Sequence, residues 1–309
     1  MIVNNFTFIC AMERVKGILA VFSGAVSFGI LSTFVKKAYE AGFTLAEVAG
    51  IQAGLGVLFL WTMSFISYKA FKKSFSKHPM RSAKWKIILS GVCTGSVSIF
   101  YYKCVELLPA SLAIVMLMQY LWIGLLIERF VFGTKPHIKQ VIGAILILGS
   151  TLLATGLIEN DLSSINWKGV GYGLIAATAY ALFLIVSGRI GNDYPPVLKS
   201  AYMLTGALIL IFITLTPTTL FSVEVFKDIL PFGLLFSIFG TVLPPFLFAY
   251  GIPKAGIPLS NIISTAELPV AVAMSFYVLL EPVSALQWTG VFIILLIIIW
   301  VNYPTKARR

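Results

Sequence analysis

The sequence predicts an all-α membrane protein, ten transmembrane helices built as two inverted five-helix repeats. Three observations carry that prediction. Apolar runs of about 20 residues, the length that crosses a bilayer as a helix, recur from end to end. Of the 309 residues, 59% are hydrophobic and only 11% charged, where a soluble domain carries roughly 25% charged residues; mean hydropathy is +0.95. The two halves of the chain also echo one another in order and in residue type.

Residues 1–14 precede the first span. They lack a basic stretch ahead of the apolar residues and a small-residue cleavage site, so no cleavable signal peptide is expected. Met12-Glu13-Arg14 looks like a natural start, which would make residues 1–11 an upstream extension. The spans then lie near 15–36, 45–67, 85–107, 110–131, 138–158, 168–189, 198–217, 229–252, 257–280 and 286–303. Span 1 ends at Lys36-Lys37. Span 2 carries Gly50 and Gly54, and span 3 carries Gly91 and Gly95, pairs four apart that allow close helix contact. Span 4 holds "MLMQYLW" (116–122). Span 8 holds "LPPF" (243–246), whose Pro244 and Pro245 should bend or break it in mid-membrane. Span 9 holds Glu267 two residues before Pro269, and Pro269 should kink it. The expected organisation is a first repeat over 15–158, a second over 168–303 and a basic tail at 304–309.

Charge sets the orientation. With the amino terminus inside, 18 Lys and Arg residues fall on its face and five (Lys36, Lys37, Lys103, Lys168, Lys227) on the other. Basic residues stay cytoplasmic, so both termini are expected in the cytoplasm. The loop "YKAFKKSFSKHPMRSAKWK" (68–86) then reads as a topology determinant, and the net charge of +11 does not call for a nucleic-acid partner. Cys93 and Cys104, eleven residues apart on one helix, are about 16 Å apart and cannot bridge. There is no phosphate loop, no H-E-x-x-H, no G-x-S-x-G and no intramembrane aspartate cluster. His78 and His137 lie in loops. No enzyme activity, metal or cofactor is expected.

At an offset of 152, Gly17 falls on Gly169, Ala25 on Ala177, Phe28 on Tyr180 and Gly54 on Gly206. At an offset of 147, Gln140–Gly143 falls on Gln287–Gly290, each opening the last span of its half. Five spans per half is an odd number, so the second half enters the membrane from the opposite side. Inverted repeats are the architecture of alternating access, which points to a transporter.

The stretch "GIPLSNIISTAELPVAVAMSFYVLLEPVSALQWTGVFIILLII" resembles the last two spans of EamA-type transporters of the drug/metabolite transporter superfamily. The matching features are Pro269-Val270 in the penultimate span, Glu281 ending it and Gln287-x-x-Gly290 opening the last. The first-half counterpart, from Leu108 to Gly143, is similar, but Trp122 stands where the second half has Pro269, so a kink is expected in only one repeat. The resemblance implies a central cavity and the movement of small organic solutes across a bacterial cytoplasmic membrane. Export is the direction it implies. It does not identify the solute.

Glu267 is the only acidic residue in the middle of a span. A charge there is expensive and marks a functional site by default. On a helix it shares a face with Ser260 and Ser264, a stripe that should point into the bundle. Glu267 is expected either to take and release a proton as water access alternates, or to attract an amine-bearing solute. The competing reading is structural, with Glu267 bonded to a carbonyl freed by Pro269; transport would then be uncoupled. An intramembrane enzyme is the more distant alternative. Met116, Gln119 and Trp122 are three apart, and Tyr120 is the repeat mate of Glu267. Gln119, Tyr120 and Trp122 are expected to supply cavity wall, with Phe28 and Tyr180 as mid-helix mates beside them. The expected partners are a small-molecule solute and membrane lipid, with proton coupling one of the two readings of Glu267; no nucleic acid is expected, and the oligomeric state is not indicated.

Overall fold

Helices account for nearly all of the computed structural model, which describes residues 2–75, 81–108, 110–155, 166–280 and 282–303. Glu281, Lys77, His78, the link over 156–165 and the tail at 304–309 lie outside the described residues. Seven spans are single helices: α1 (Ile2–Glu40), α2 (Leu45–Phe75), α3 (Lys84–Leu107), α6 (Ile138–Ala154), α7 (Trp167–Arg189), α8 (Pro196–Leu215) and α13 (Ala285–Asn302). Three are interrupted. Span 4 is α4 (Ala110–Met118) plus α5 (Tyr120–Phe130). Span 8 is α9 (Val223–Phe236), a π turn over Ser237–Val242, then α10 (Leu243–Ala255). Span 9 is α11 (Ile257–Ile263), a 3-10 turn over Ser264–Ala266, then α12 (Glu267–Val278). Nine of the ten are long and apolar enough to cross a membrane, and the tenth, α6, is the shorter Ile138–Ala154.

Each interruption has a local cause. Pro244 and Pro245 carry no N–H for the ordinary ladder, and the π turn lies just ahead of them. Ser237 Oγ donates to Gly233 O at 2.7 Å and Thr241 Oγ1 to Ser237 O at 3.0 Å. Both hydroxyls also donate to the carbonyl of Gln52 on α2, at 3.1 and 3.2 Å. In span 9 the 3-10 turn covers Thr265, whose carbonyl the absent N–H of Pro269 would otherwise have bonded. The kink was expected in one repeat only, and this is corrected. Span 4 breaks at Gln119, the offset-147 mate of Ala266, although no proline is there. The Gln119 side chain donates to Val115 O at 2.9 Å and its N–H reaches back only to Met116 O at 3.2 Å. A side-chain donor that competes for an i−4 carbonyl does locally what proline does in the other half.

The repeats also share their helix starts. His137 and Gln140 cap α6 reciprocally, and Ser284 and Gln287 cap α13 the same way, at positions 147 apart. The glutamine of each Q-x-x-G motif is thus a capping residue. Contacts between the halves obey the same exchange. Writing n for a span, most of the principal contacts recur with n and n+5 swapped: α1 on α10 answers α7 on α3, α1 on α12 answers α7 on α4 and α5, and α6 packs on its own mate α13, whereas α7 on α10 has no α1–α3 counterpart of comparable extent. The bundle therefore has a pseudo-two-fold axis relating oppositely inserted halves.

Because lipid is as apolar as leucine, helices associate through close packing. The tightest crossing is α3 on α8. A Cβ at Gly91 would overlap the carbonyl of Met203, and one at Gly206 the carbonyl of Ile88. Gly54, by contrast, faces open space. Gly91→Ala should lower stability by about 1–3 kcal/mol through overpacking, whereas Gly54→Ala should be neutral or stabilising by up to about 1 kcal/mol through helix propensity. Thermal midpoints of the two variants in detergent check this; equal effects would contradict the crossing.

On the face where α1 begins and α13 ends, the loop between α7 and α8 is tied down by Asp193. Its carboxylate accepts from Ser82 N at 2.7 Å, from Ser82 Oγ and from Arg81 N. Desolvation works against the charged form, but these hydrogen bonds outweigh it and hold the carboxyl below the usual aspartate range. A lowered folded pKa contributes stability that is present above the unfolded value, about 3.9, and is lost as pH falls through the folded one. The tie should loosen only below about pH 4. Asp193→Asn should lower the melting temperature at neutral pH, where the carboxylate's contribution is fully present, and flatten the acid limb of the profile, so that the two proteins converge at low pH.

Candidate functional site

Between the halves lies a cavity of about 630 Å³. Its walls come from the ends of α1, α3 and α6, the start of α2, α4, the middle of α7, the π turn, α12 and the start of α13. By chain order these ends all belong to the face opposite the one where the chain begins. The cavity is therefore a vestibule that reaches from that far face to the middle of the bundle. At the mouth stand Lys36, Tyr39 and Glu40, and part-way down Tyr102 donates to Gln52 Oε1 at 2.8 Å.

Glu267 lies at the inner end. It is deep in the bundle yet only partly buried, because the cavity reaches it. Its position is set by the chain break: it is the first residue of α12, directly after the 3-10 turn. Helix α1 approaches closely enough that a Cβ at Gly29 would meet the Glu267 carbonyl at 2.5 Å. Tyr180 Oη donates to Glu267 Oε2 at 3.3 Å. Tyr180 is the centre of an aromatic floor. Its ring lies 6.0 Å from Phe28 edge-on, 5.9 Å from Phe183 in a stack and 4.7 Å from Tyr120 edge-on. Phe248 closes the group at 5.8 Å from both Phe28 and Phe183. A carboxylate above several aromatic faces is a setting that attracts cations both by charge and by ring quadrupole.

The residues singled out from sequence separate in space. Glu267, Tyr180 and Phe28 line the cavity together. Tyr120 is fully buried behind Tyr180, and its hydroxyl donates to Asn261 O at 3.1 Å. Ser264 is fully buried beneath Glu267; its hydroxyl, beside that of Tyr180, makes no hydrogen bond of normal geometry. Gln119 and Trp122 are not on the cavity wall. Trp122 is 42% exposed, on the lipid side, and its indole N–H donates to Gln119 Oε1 at 2.8 Å. The expectation of a shared cavity face assumed an unbroken helix through 116–122, and the break at Gln119 removes that assumption. Pro269 is buried in the first turn of α12, and Pro244 and Pro245 are buried at the start of α10, with Pro269 and the pair both adjoining a break.

The opposite end of the bundle is closed, mostly by residues whose sequence context gave no functional signal beyond basic charge. Arg189, the last residue of α7, grips Glu128 of α5 with Nη2 at 2.8 and 3.0 Å and Nε at 3.2 Å. It also donates to Thr134 Oγ1 at 3.1 Å and lies 4.0 Å over the Phe132 ring. Glu128 is fully buried there. Nearby, the buried Lys199 donates to Ser187 O at 2.6 Å and Asn192 Oδ1 at 2.8 Å, and Lys254 pairs with Glu13. No group of three or more His, Cys, Asp or Glu able to hold a metal occurs among the described residues.

Comparison with known proteins agrees with this architecture. A solved crystal structure superposes with a TM-score of 0.73 over 94% of this chain and 97% of its own, at 14% identity, which establishes a shared fold. No curated protein matches the sequence. The profile of the EamA-like transporter family matches twice in tandem, over residues 15–156 and 167–303, one match for each five-helix half. With a family match over most of its length, the chain belongs to the EamA-like transporters, membrane transporters of the drug/metabolite superfamily.

Proposed function

We propose that this transporter is a proton-linked exporter of small organic solutes (amino acids, metabolites or drug-like compounds), and that Glu267 is the group that couples the two fluxes. The observation that carries the reading is a lone mid-span carboxylate on the wall of a cavity between inverted halves. The cavity volume of about 630 Å³ falls in the range of small-molecule sites, roughly 300–1,000 Å³. Tyr180 and Phe28 supply aromatic surface for the organic part of a solute, and Glu267 supplies a counter-charge for its amine. A proton and a cationic solute compete for one carboxylate, so a site that holds one or the other, but not both, exchanges them. Ser264, Tyr120 and Pro269 act as supports, fixing the turn that presents Glu267. Pro244, Pro245 and Pro269 adjoin the breaks where helices can bend between states. Gln119 and Trp122 serve as helix anchors toward lipid.

The lysine and arginine asymmetry supports a cytoplasmic position for both termini in a bacterial inner membrane. On that reading the cavity opens to the outside, the release side for an exporter. The chain's role is to carry its solute unchanged, not to act on it chemically.

The solute class is found by comparing metabolites inside and outside cells with and without the protein. Transport of the resulting solute is then followed in proteoliposomes under an imposed pH gradient. Glu267→Gln should abolish pH-driven accumulation. Retention of both the rate and its pH dependence would sink the coupling role and favour an uncoupled carrier with a structural Glu267. Tyr180→Phe should slow pH-driven transport by roughly tenfold, the equivalent of about 1.5 kcal/mol for one hydrogen bond to a charged group.

A further inference from the structure

Polar atoms on the closed side of the bundle have no partner. Both side-chain amide atoms of Asn261 are fully buried and unbonded, and the hydroxyl of Ser264 is fully buried with only the Tyr180 hydroxyl beside it, at no normal hydrogen-bond geometry. An unmade hydrogen bond in a dry site is unfavourable, and an apolar residue of similar size would avoid it. These residues precede Glu267 by six and three positions, so they continue its stripe down α11 and the 3-10 turn toward the closed face. Facing them on α5 is Gly124, where a Cβ would lie 2.5 Å from Asn261 Nδ2. One turn further along α5 is Glu128, held by Arg189. A single line thus runs from the cavity floor to the closed face.

The repeat gives that line a meaning. At the offset of 147 the mates of Asn261 and Ser264 are Ile114 and Leu117, and the mates of Gly124 and Glu128 are Ala271 and Ser275. All four mates line the open cavity. The sealed seam is therefore built from the symmetry equivalents of the open vestibule's walls.

We propose that the seam between α5 and α11 is the second half of the transport route, with Asn261 and Ser264 as its polar contact point and Glu128–Arg189 as its outer seal. When this half opens, the other closes, as the exchange of inverted halves requires. Asn261 offers both a donor and an acceptor and Ser264 a hydroxyl, without net charge. That chemistry suits the amine, amide or hydroxyl end of an organic solute after it leaves Glu267. The proposal rests on the carrier reading above.

The test uses the full chain in membranes, with Cys10, Cys93 and Cys104 replaced by serine and a membrane-impermeant cationic methanethiosulfonate as the probe. Ala271→Cys should label from the far face. Ser264→Cys should label only from the face that carries the termini. Glu128→Gln should raise the Ser264→Cys rate about tenfold, a population shift worth ~1.4 kcal/mol, and lower that of Ala271→Cys. Arg189→Lys, which keeps the charge but loses the forked grip, serves as a milder second release of the seal. If Ala271→Cys labels but Ser264→Cys stays silent from the terminal face with both seal variants, the route runs elsewhere and this proposal falls while the carrier reading stands. If Ala271→Cys itself cannot be reached from the far face, both fall.

Discussion

A carboxyl group in the middle of a membrane must be given water, a partner or a proton. In this bundle Glu267 is given access to water through the vestibule and a donor in Tyr180. Much of the surrounding architecture serves that arrangement. The 3-10 turn sets where α12 starts, Gly29 lets α1 approach the same turn, and the aromatic cluster around Tyr180 packs beneath it. An unbroken, fully packed span 9 would bury the same carboxylate against hydrocarbon.

Symmetry distributes the mechanical roles. The two halves use the same capping device at the start of their last helices and the same break point in their fourth. They reach that break differently, one with a proline nearby and one with a glutamine that bonds back to its own helix. Equivalent backbones with unequal side chains give the two ends different chemistry, a charged and hydrated entrance on one side and a forked ion pair on the other.

The ten spans, their two inverted groups and the mid-span position of Glu267 were legible in the sequence because each is a matter of composition or strict periodicity. Hydropathy reports length, and a lone acid in an apolar run stands out by itself. What was not legible depended on side-chain direction across a helix break. Gln119 and Trp122 were placed on the cavity by counting residues through a point where the helix does not continue, and they face lipid and each other instead. Glu128 and Arg189 lie at the C-terminal ends of two separate helices, 61 residues apart in the chain, and only packing brings them together. For Glu128 and Asn261 the mates in the other half were a usable signal, since the offset of 147 maps them onto the cavity-lining Ser275 and Ile114.

The two partners of the closing ion pair are unequally sheltered. The Glu128 side chain is 1% exposed and that of Arg189 is 35% exposed. Loss of the glutamate leaves a guanidinium that can turn toward water, with Phe132 still beneath it. Loss of the arginine strands an anion in a dry pocket, a change that typically costs about 3–5 kcal/mol. Random substitution should therefore be tolerated far less often at position 189 than at position 128, so that drift at this contact can begin from the acid but seldom from the base.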